Sequence, residues 1–492
     1  MLSSALVKGK GIVMIRNAMK FVLLGILAAL GGEFAGAQQP DSQVQALVAI
    51  TRVTVINGAN ATAQRDRTVL IRGNKISAVG KSTKVKVPAG ARVIDGRGKY
   101  LIPGLWDSHV HLGLTGESSL PLFIANGVTG VRDMAGNAAE LRVWRQQIAA
   151  GALTGPRIKM AGPAVESEKF LQILPKVDQM LSLRLSAEIL PTRIGISTPD
   201  DARRAVDQLA DMAVDFVKFR TMPSPEVYFA LADEAKKRGL AFAGHEPEVV
   251  DLEAASSAGQ RSIEHLPFMS LAKASEATRA AAFRALVHNG TWIDPTLVAA
   301  VGYRGTPDDK VMAIVEDETN RLEPRRKYLP PRLLEFWRAQ IVIKQVEDPM
   351  DWPGLLQQGY ADLGAMRKLG VRLVAGSDTG APLVYPGFSL HDELALLIEK
   401  GGLTPREALR VSTVEPARML GMEQEIGTVE PGKLADLVLL DRDPLQDIRN
   451  TQQISVVIAD GKVFDRAALD ALLEKAAASA AQEPKANQSQ DH

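Results

Sequence analysis

Between residues 100 and 422 the chain repeats one pattern: a short run of apolar and β-branched residues that reads as a strand, then a stretch with helical signals. The strand-like runs fall at 101–113, 127–134, 156–162, 215–220, 240–246, 261–266, 291–297 and 371–378. A helix start is clear at Ser197-Thr198-Pro199-Asp200-Asp201, with Ala202, Val206, Leu209 and Ala213 at helical spacing behind it. Eight strand-helix units over roughly 300 residues fit an α/β fold of the (β/α)8 TIM-barrel type, whose chemistry lies at the C-terminal ends of the strands.

The flanks carry a different pattern. Residues 48–56 and 68–79 are β-rich, with Gly73-Asn74 placed as a hairpin turn between Ile71 and Ile76, and 435–441 and 454–464 supply further strands around an Asp460-Gly461 turn. Neither end closes a domain alone, so both are expected to build one small β-sandwich, 45–99 plus 423–466, with the barrel of 100–422 inserted between.

The first 37 residues read as an export signal. Lys8, Lys10, Arg16 and Lys20 precede the apolar run 21–30, and Ala35-Gly36-Ala37 offers a small-residue cleavage site. Ten apolar residues are too few to span a bilayer, so the mature protein is expected in the periplasm or outside the cell, without stable membrane insertion. An uncleaved anchor is the alternative, and Met14 or Met19 could be the true start. The tail 476–492 lacks an apolar face and is expected to be disordered.

With no cysteine, the chain can hold a metal only through nitrogen and oxygen. Its 58 basic and 57 acidic residues nearly cancel, which disfavours nucleic acid and anionic membranes and favours a small-molecule or short-peptide substrate.

His109 and His111 stand one residue apart at the end of the first strand-like run, so both imidazoles project to one side. Later strand ends add Lys218, His245, His265 and Asp378. Neutral imidazoles suit zinc, and a carboxylate completes a site with one open position. Burial would lower the pKa of Lys218, and its neutral amine could take up carbon dioxide as a carbamate whose two oxygens bridge two metals. Taken singly, each residue has a plainer reading: a snorkelling or ion-paired lysine, hydrogen-bonded core histidines, or an aspartate capping a helix.

Together and in this order, His109-x-His111, Lys218, His245, His265 and Asp378 resemble the metal-dependent amidohydrolase superfamily. Pro103-Gly104-Leu105-Trp106-Asp107 and Gly432-Lys433-Leu434-Ala435-Asp436-Leu437 resemble its entry to the first strand and its return to the small domain. The resemblance implies two divalent cations, most often zinc. His109, His111 and Asp378 would hold the more buried one and His245 and His265 the more exposed one, with carboxylated Lys218 between. Single-metal members, among them imidazolone hydrolases, lack that lysine, so Lys218 points to the binuclear hydrolytic branch; Lys159 is a less suitable competitor for the position.

The resemblance extends to Xaa-Pro dipeptidase-like and ochratoxinase-like enzymes and implies cleavage of an amide in a dipeptide or N-acyl amino acid, with Asp378 as base and then acid. Arg220, two residues beyond Lys218, could grip the substrate carboxylate. A cyclic amide, lactone or phosphoester substrate on the same metals, and a non-catalytic scaffold, remain alternative readings. Two connections exceed what a barrel needs, 164–214 and 298–370; the second is expected to act as a lid over the pocket or to serve self-association as a homo-oligomer.

Overall fold

A computed structural model describes residues 47–58, 62–346 and 350–483. The segment read as an export signal lies outside the described residues.

All eight expected barrel strands form, parallel and in chain order: Leu105–Val110, Val128–Asp133, Arg157–Met160, Val217–Phe219, Phe242–His245, Ser262–Glu264, Trp292–Asp294 and Arg372–Leu373. They pair in two arcs, the first three strands in one and the last five in the other. Backbone hydrogen bonds cross both seams. The Asp215 amide donates to the Met160 carbonyl (2.9 Å), and the Ser108 amide donates to the Ala375 carbonyl (2.9 Å) where Val110 also pairs with Thr379. The arrangement is that of a TIM-barrel-like α/β fold.

Two further short strands, Ala164–Ser167 and Arg193–Ile196, extend the longer arc beyond Val217–Phe219. They bracket the first insertion, which folds as the helices Glu168–Leu181 and Leu185–Ile189. The second insertion carries helices Asp308–Glu316, Pro331–Val346 and Trp352–Leu369.

Strands from both chain ends join as expected, but into one continuous eight-stranded sheet rather than two separate ones. Tyr100–Pro103 sits at its centre, parallel to Leu47–Val55 and antiparallel to Leu437–Leu440. Both faces of that centre are buried. Leu437 and Leu439 enter the sheet's own apolar cluster with Ile50 and Ile71, whereas Val438 and Leu440 enter the main core with Leu105 and Ile263. Side chains alternate across a strand, so a run such as Leu437–Leu440 must be apolar at every position to serve two cores.

The tail departs from expectation. Helix Arg466–Gln482 continues through 476–482, and Ala476 and Ala480, one turn apart, are buried. Ala476 packs with Leu122 and Tyr328. Alanine is the strongest helix former and its small side chain lets the helix approach closely, so no conventional apolar stripe is needed. Residues 484–492 lie outside the described set.

Candidate metal centre

The six expected ligands meet at the C-terminal ends of the barrel strands. His109 leaves the first strand fully buried, with its ring centroid 5.2 Å from that of His111 and 5.0 Å from that of His265; the His245 and His265 centroids are 4.8 Å apart. Asp378 Oδ1 lies 3.4 Å from His109 Nε2 and 3.2 Å from His111 Nε2. Lys218 is the middle residue of the fourth barrel strand, with a buried Nζ that has no hydrogen-bond partner, and it lines the same cavity as His111, His245, His265 and Asp378. Lys159, its competitor, turns away and pairs with Asp215 Oδ1 at 3.0 Å.

Burial sets the electrostatics. Desolvation drives His109 down to about 3 and His245 and His265 below the usual histidine range, so these rings are neutral and offer lone pairs. Desolvation also brings Lys218 down to about 8, which raises the share of its neutral amine near neutral pH. Asp378 behaves oppositely: burial would raise it, but His109, His111 and His265 hold it well below the carboxylate range.

Several residues that sequence reasoning did not single out position these ligands. Glu264, one residue before His265, accepts a hydrogen bond from His109 Nδ1 (3.1 Å) and from Arg132 Nη2 (2.7 Å), all three being buried. A carboxylate can only accept, so Nδ1 carries the proton and Nε2 turns its lone pair toward Asp378 and the cavity. Asp107 accepts from the Ser377 amide (2.8 Å) and hydroxyl (2.6 Å), tying the first strand to the loop that bears Asp378; burial pushes its carboxyl up to about 7. Gly376 fits in that loop because any Cβ there would come within 2.6 Å of His109 Cβ and 2.4 Å of Asp294 Oδ2. Trp337, on the second insertion, donates its indole N–H to the Gly380 carbonyl at 2.9 Å. The available signal was a charged residue within a strand-like run, Arg132 beside Asp133 in one and Glu264 beside His265 in another.

Backbone strain concentrates here as well. His265, Thr296 and Asp378 hold φ of 68°, 45° and 59°. For side chains other than glycine such conformations cost of order 1–3 kcal/mol each and persist where the surroundings dictate them. Thr296 Oγ1 lies 2.6 Å from His265 Nδ1, which fixes that ring from behind.

Glu264→Gln keeps the shape but removes the carboxylate nearest the buried Arg132 guanidinium, leaving Asp294 Oδ2 at 3.7 Å. The expected result is a loss of about 1.5–3 kcal/mol in unfolding free energy and a metal affinity lower by about 10–100-fold. Urea unfolding and metal titration read the two effects, and wild-type values in both would show that Glu264 does not position His109.

Arg220 also lines the cavity, although its strand ends at Phe219. Its guanidinium lies over the Phe170 ring at 4.4 Å, with Nη1 3.4 Å from Glu166 Oε2. Arg193 shares that carboxylate at 3.7 Å, so two guanidinium groups face one glutamate. His391 is buried elsewhere, bonded to Thr451 and to the Asn126 carbonyl.

Histidines, a lysine and an aspartate gathered at the C-terminal ends of the parallel strands of a TIM-barrel-like fold are the setting of a barrel hydrolase. The chain belongs to the amidohydrolase family, whose family model matches residues 100–464, and it is a hydrolase acting on carbon–nitrogen bonds. It is 26% identical over 396 residues to imidazolonepropionase of Symbiobacterium thermophilum, covering 75% of this chain and 82% of that protein. It is 22% identical over 425 residues to ochratoxinase of Aspergillus niger, covering 74% and 75% respectively. Among solved structures, a Xaa-Pro dipeptidase with bound methionine superposes with a TM-score of 0.64 at 22% identity, over 85% of this chain and 100% of the other.

Proposed function

We propose that this chain is an exported metal-dependent amidase that cleaves dipeptides or N-acyl amino acids bearing a free carboxylate. The observation that carries the proposal is a cluster of four imidazoles, three of which line one cavity with Asp378 and a buried, unpartnered Lys218 amine.

The residues suit two divalent cations. His109 Nε2 and Lys218 Nζ are buried polar atoms without hydrogen-bond partners, and among the described residues His109, His111 and Asp378 bring ligand atoms within 4.8 Å of one another. An unsatisfied buried polar atom is costly unless something binds it. His109, His111 and Asp378 would hold one cation and His245 and His265 the other. Lys218 would lie between them as a carbamate, formed when its neutral amine adds to carbon dioxide and releases a proton. Zinc fits the nitrogen and oxygen donor set. When bound, such a pair supplies an acidified water and an electrophile for the amide carbonyl.

The protein's own groups do the rest. Asp378, ionised and facing the cavity, accepts the nucleophile's proton on a carboxylate oxygen and returns it to the departing amine nitrogen. Arg220 would hold the substrate carboxylate, with Phe170 beneath it and Glu166 beside it. Glu264 and Thr296 keep two rings in the tautomer and orientation the chemistry needs.

Dialysis against a chelator is expected to abolish hydrolysis of N-acyl amino acids and dipeptides, and added zinc to restore it, with elemental analysis giving two metals per chain. Undiminished hydrolysis by metal-free protein would overturn the reading.

A further inference from the structure

The two insertions meet over the strand ends. Leu185 and Ile189 of the first pack in one apolar cluster with Leu333, Phe336 and Trp337 of the second, so together they roof the cavity. Below that roof the space is about 1060 Å³, at the top of the ~300–1,000 Å³ range of sites for drug-sized ligands.

The roof is lined in register. On helix Glu168–Leu181 the cavity-lining residues are Phe170, Ile173, Leu174 and Val177, at the i, i+3, i+4, i+7 spacing of a single helical face. Helix Pro331–Val346 contributes Phe336 and Ile343, two turns apart, with Gln340 between them on the same face. An apolar helical face ordinarily packs on a core, yet this one faces the space above the metal ligands, and Ile173 is 44% exposed. Leaving it wet is unfavourable, and an apolar ligand would relieve that cost.

Resting on the amidase reading above, we propose that this lobe receives a bulky apolar acyl group. The preferred substrates are then N-acyl amino acids with aromatic or medium-chain acyl groups, the amide at the metal ligands and the carboxylate toward Arg220. Dipeptides with a small N-terminal residue would leave this apolar face wet and be disfavoured.

The test holds the leaving amino acid constant and varies the acyl group on zinc-loaded protein: acetyl, hexanoyl, decanoyl, 1-naphthoyl and glycyl. In the expected result kcat/KM rises by about fourfold per buried methylene, and the naphthoyl substrate outruns the glycyl dipeptide. Ile173→Gln/Val177→Gln, changed at partly exposed positions, should cut the naphthoyl-to-acetyl ratio by about tenfold and leave acetyl hydrolysis unchanged. Equal rates across the series, or preference for the dipeptide, overturn the lobe assignment and leave amide hydrolysis standing. If no substrate is cleaved, the amidase reading fails, and calorimetry on metal-free protein decides the lobe by itself. Naphthoylglycine should bind at least tenfold more tightly than acetylglycine with a negative heat-capacity change, less so in the double variant; equal binding overturns the assignment.

Discussion

In the Asp378→Asn variant, turnover is expected to fall by on the order of 10²–10⁴-fold while the fold and most of the bound metal are retained. Two features make this substitution a clean test. Asparagine matches aspartate in shape, and it tolerates the left-handed backbone that Asp378 adopts at φ 59°. The loop held by Asp107 and Ser377 therefore has no reason to move. What disappears is the anionic oxygen facing His109 and His111, the only part of the side chain able to accept a proton. Rate measurement paired with metal analysis separates the outcomes. Full activity would remove Asp378 from the chemistry, and loss of both metals would recast it as a ligand alone.

Lys218→Met carries two opposite expectations. In metal-loaded protein one cation per chain should be lost, and turnover should drop by at least the ~10–100-fold that removal of a metal-positioning group costs. In metal-free protein the variant should instead be more stable than the parent. Lys218 sits near 8 when folded, against 10.5 for a free lysine, because burial disfavours its ammonium. A depressed lysine weakens the fold at every pH below its folded value, and the penalty fades as pH rises from about 8 to 10.5. Methionine of similar length removes that penalty, worth about 3 kcal/mol at pH 7. Urea unfolding at pH 7 and pH 10 measures it. A variant no more stable than the parent at pH 7 would mean that the amine is not penalised by its site.

How much of this was legible beforehand follows from where each interaction is encoded. A barrel ligand must stand where an apolar run ends, and His109, His111, Lys218, His245, His265 and Asp378 each advertise themselves by that position. The eight strands were readable for the same reason, each being a local pattern. Supporting contacts are encoded non-locally. Nothing near Trp337 announces a bond to Gly380, and Glu264 reaches His109 and Arg132 only after three strands have come side by side. The helical stretch 476–482 was misread because its helix is favoured by alanine propensity and close packing, neither of which produces an amphipathic stripe. That both chain ends meet was readable from strands too few to close a domain at either end, whereas their forming one continuous sheet depends on pairing between distant segments.

That pairing bears on how the molecule is made. Tyr100–Pro103 is synthesised early, yet one of its two neighbours, Leu437–Leu440, emerges only after the entire barrel. Until then the early strand presents an unsatisfied edge and an apolar face, and closing so long a loop is slow. The last tenth of the polypeptide therefore acts as a latch, and a ribosome that stalls before it would release a chain whose end sheet lacks its central pairing.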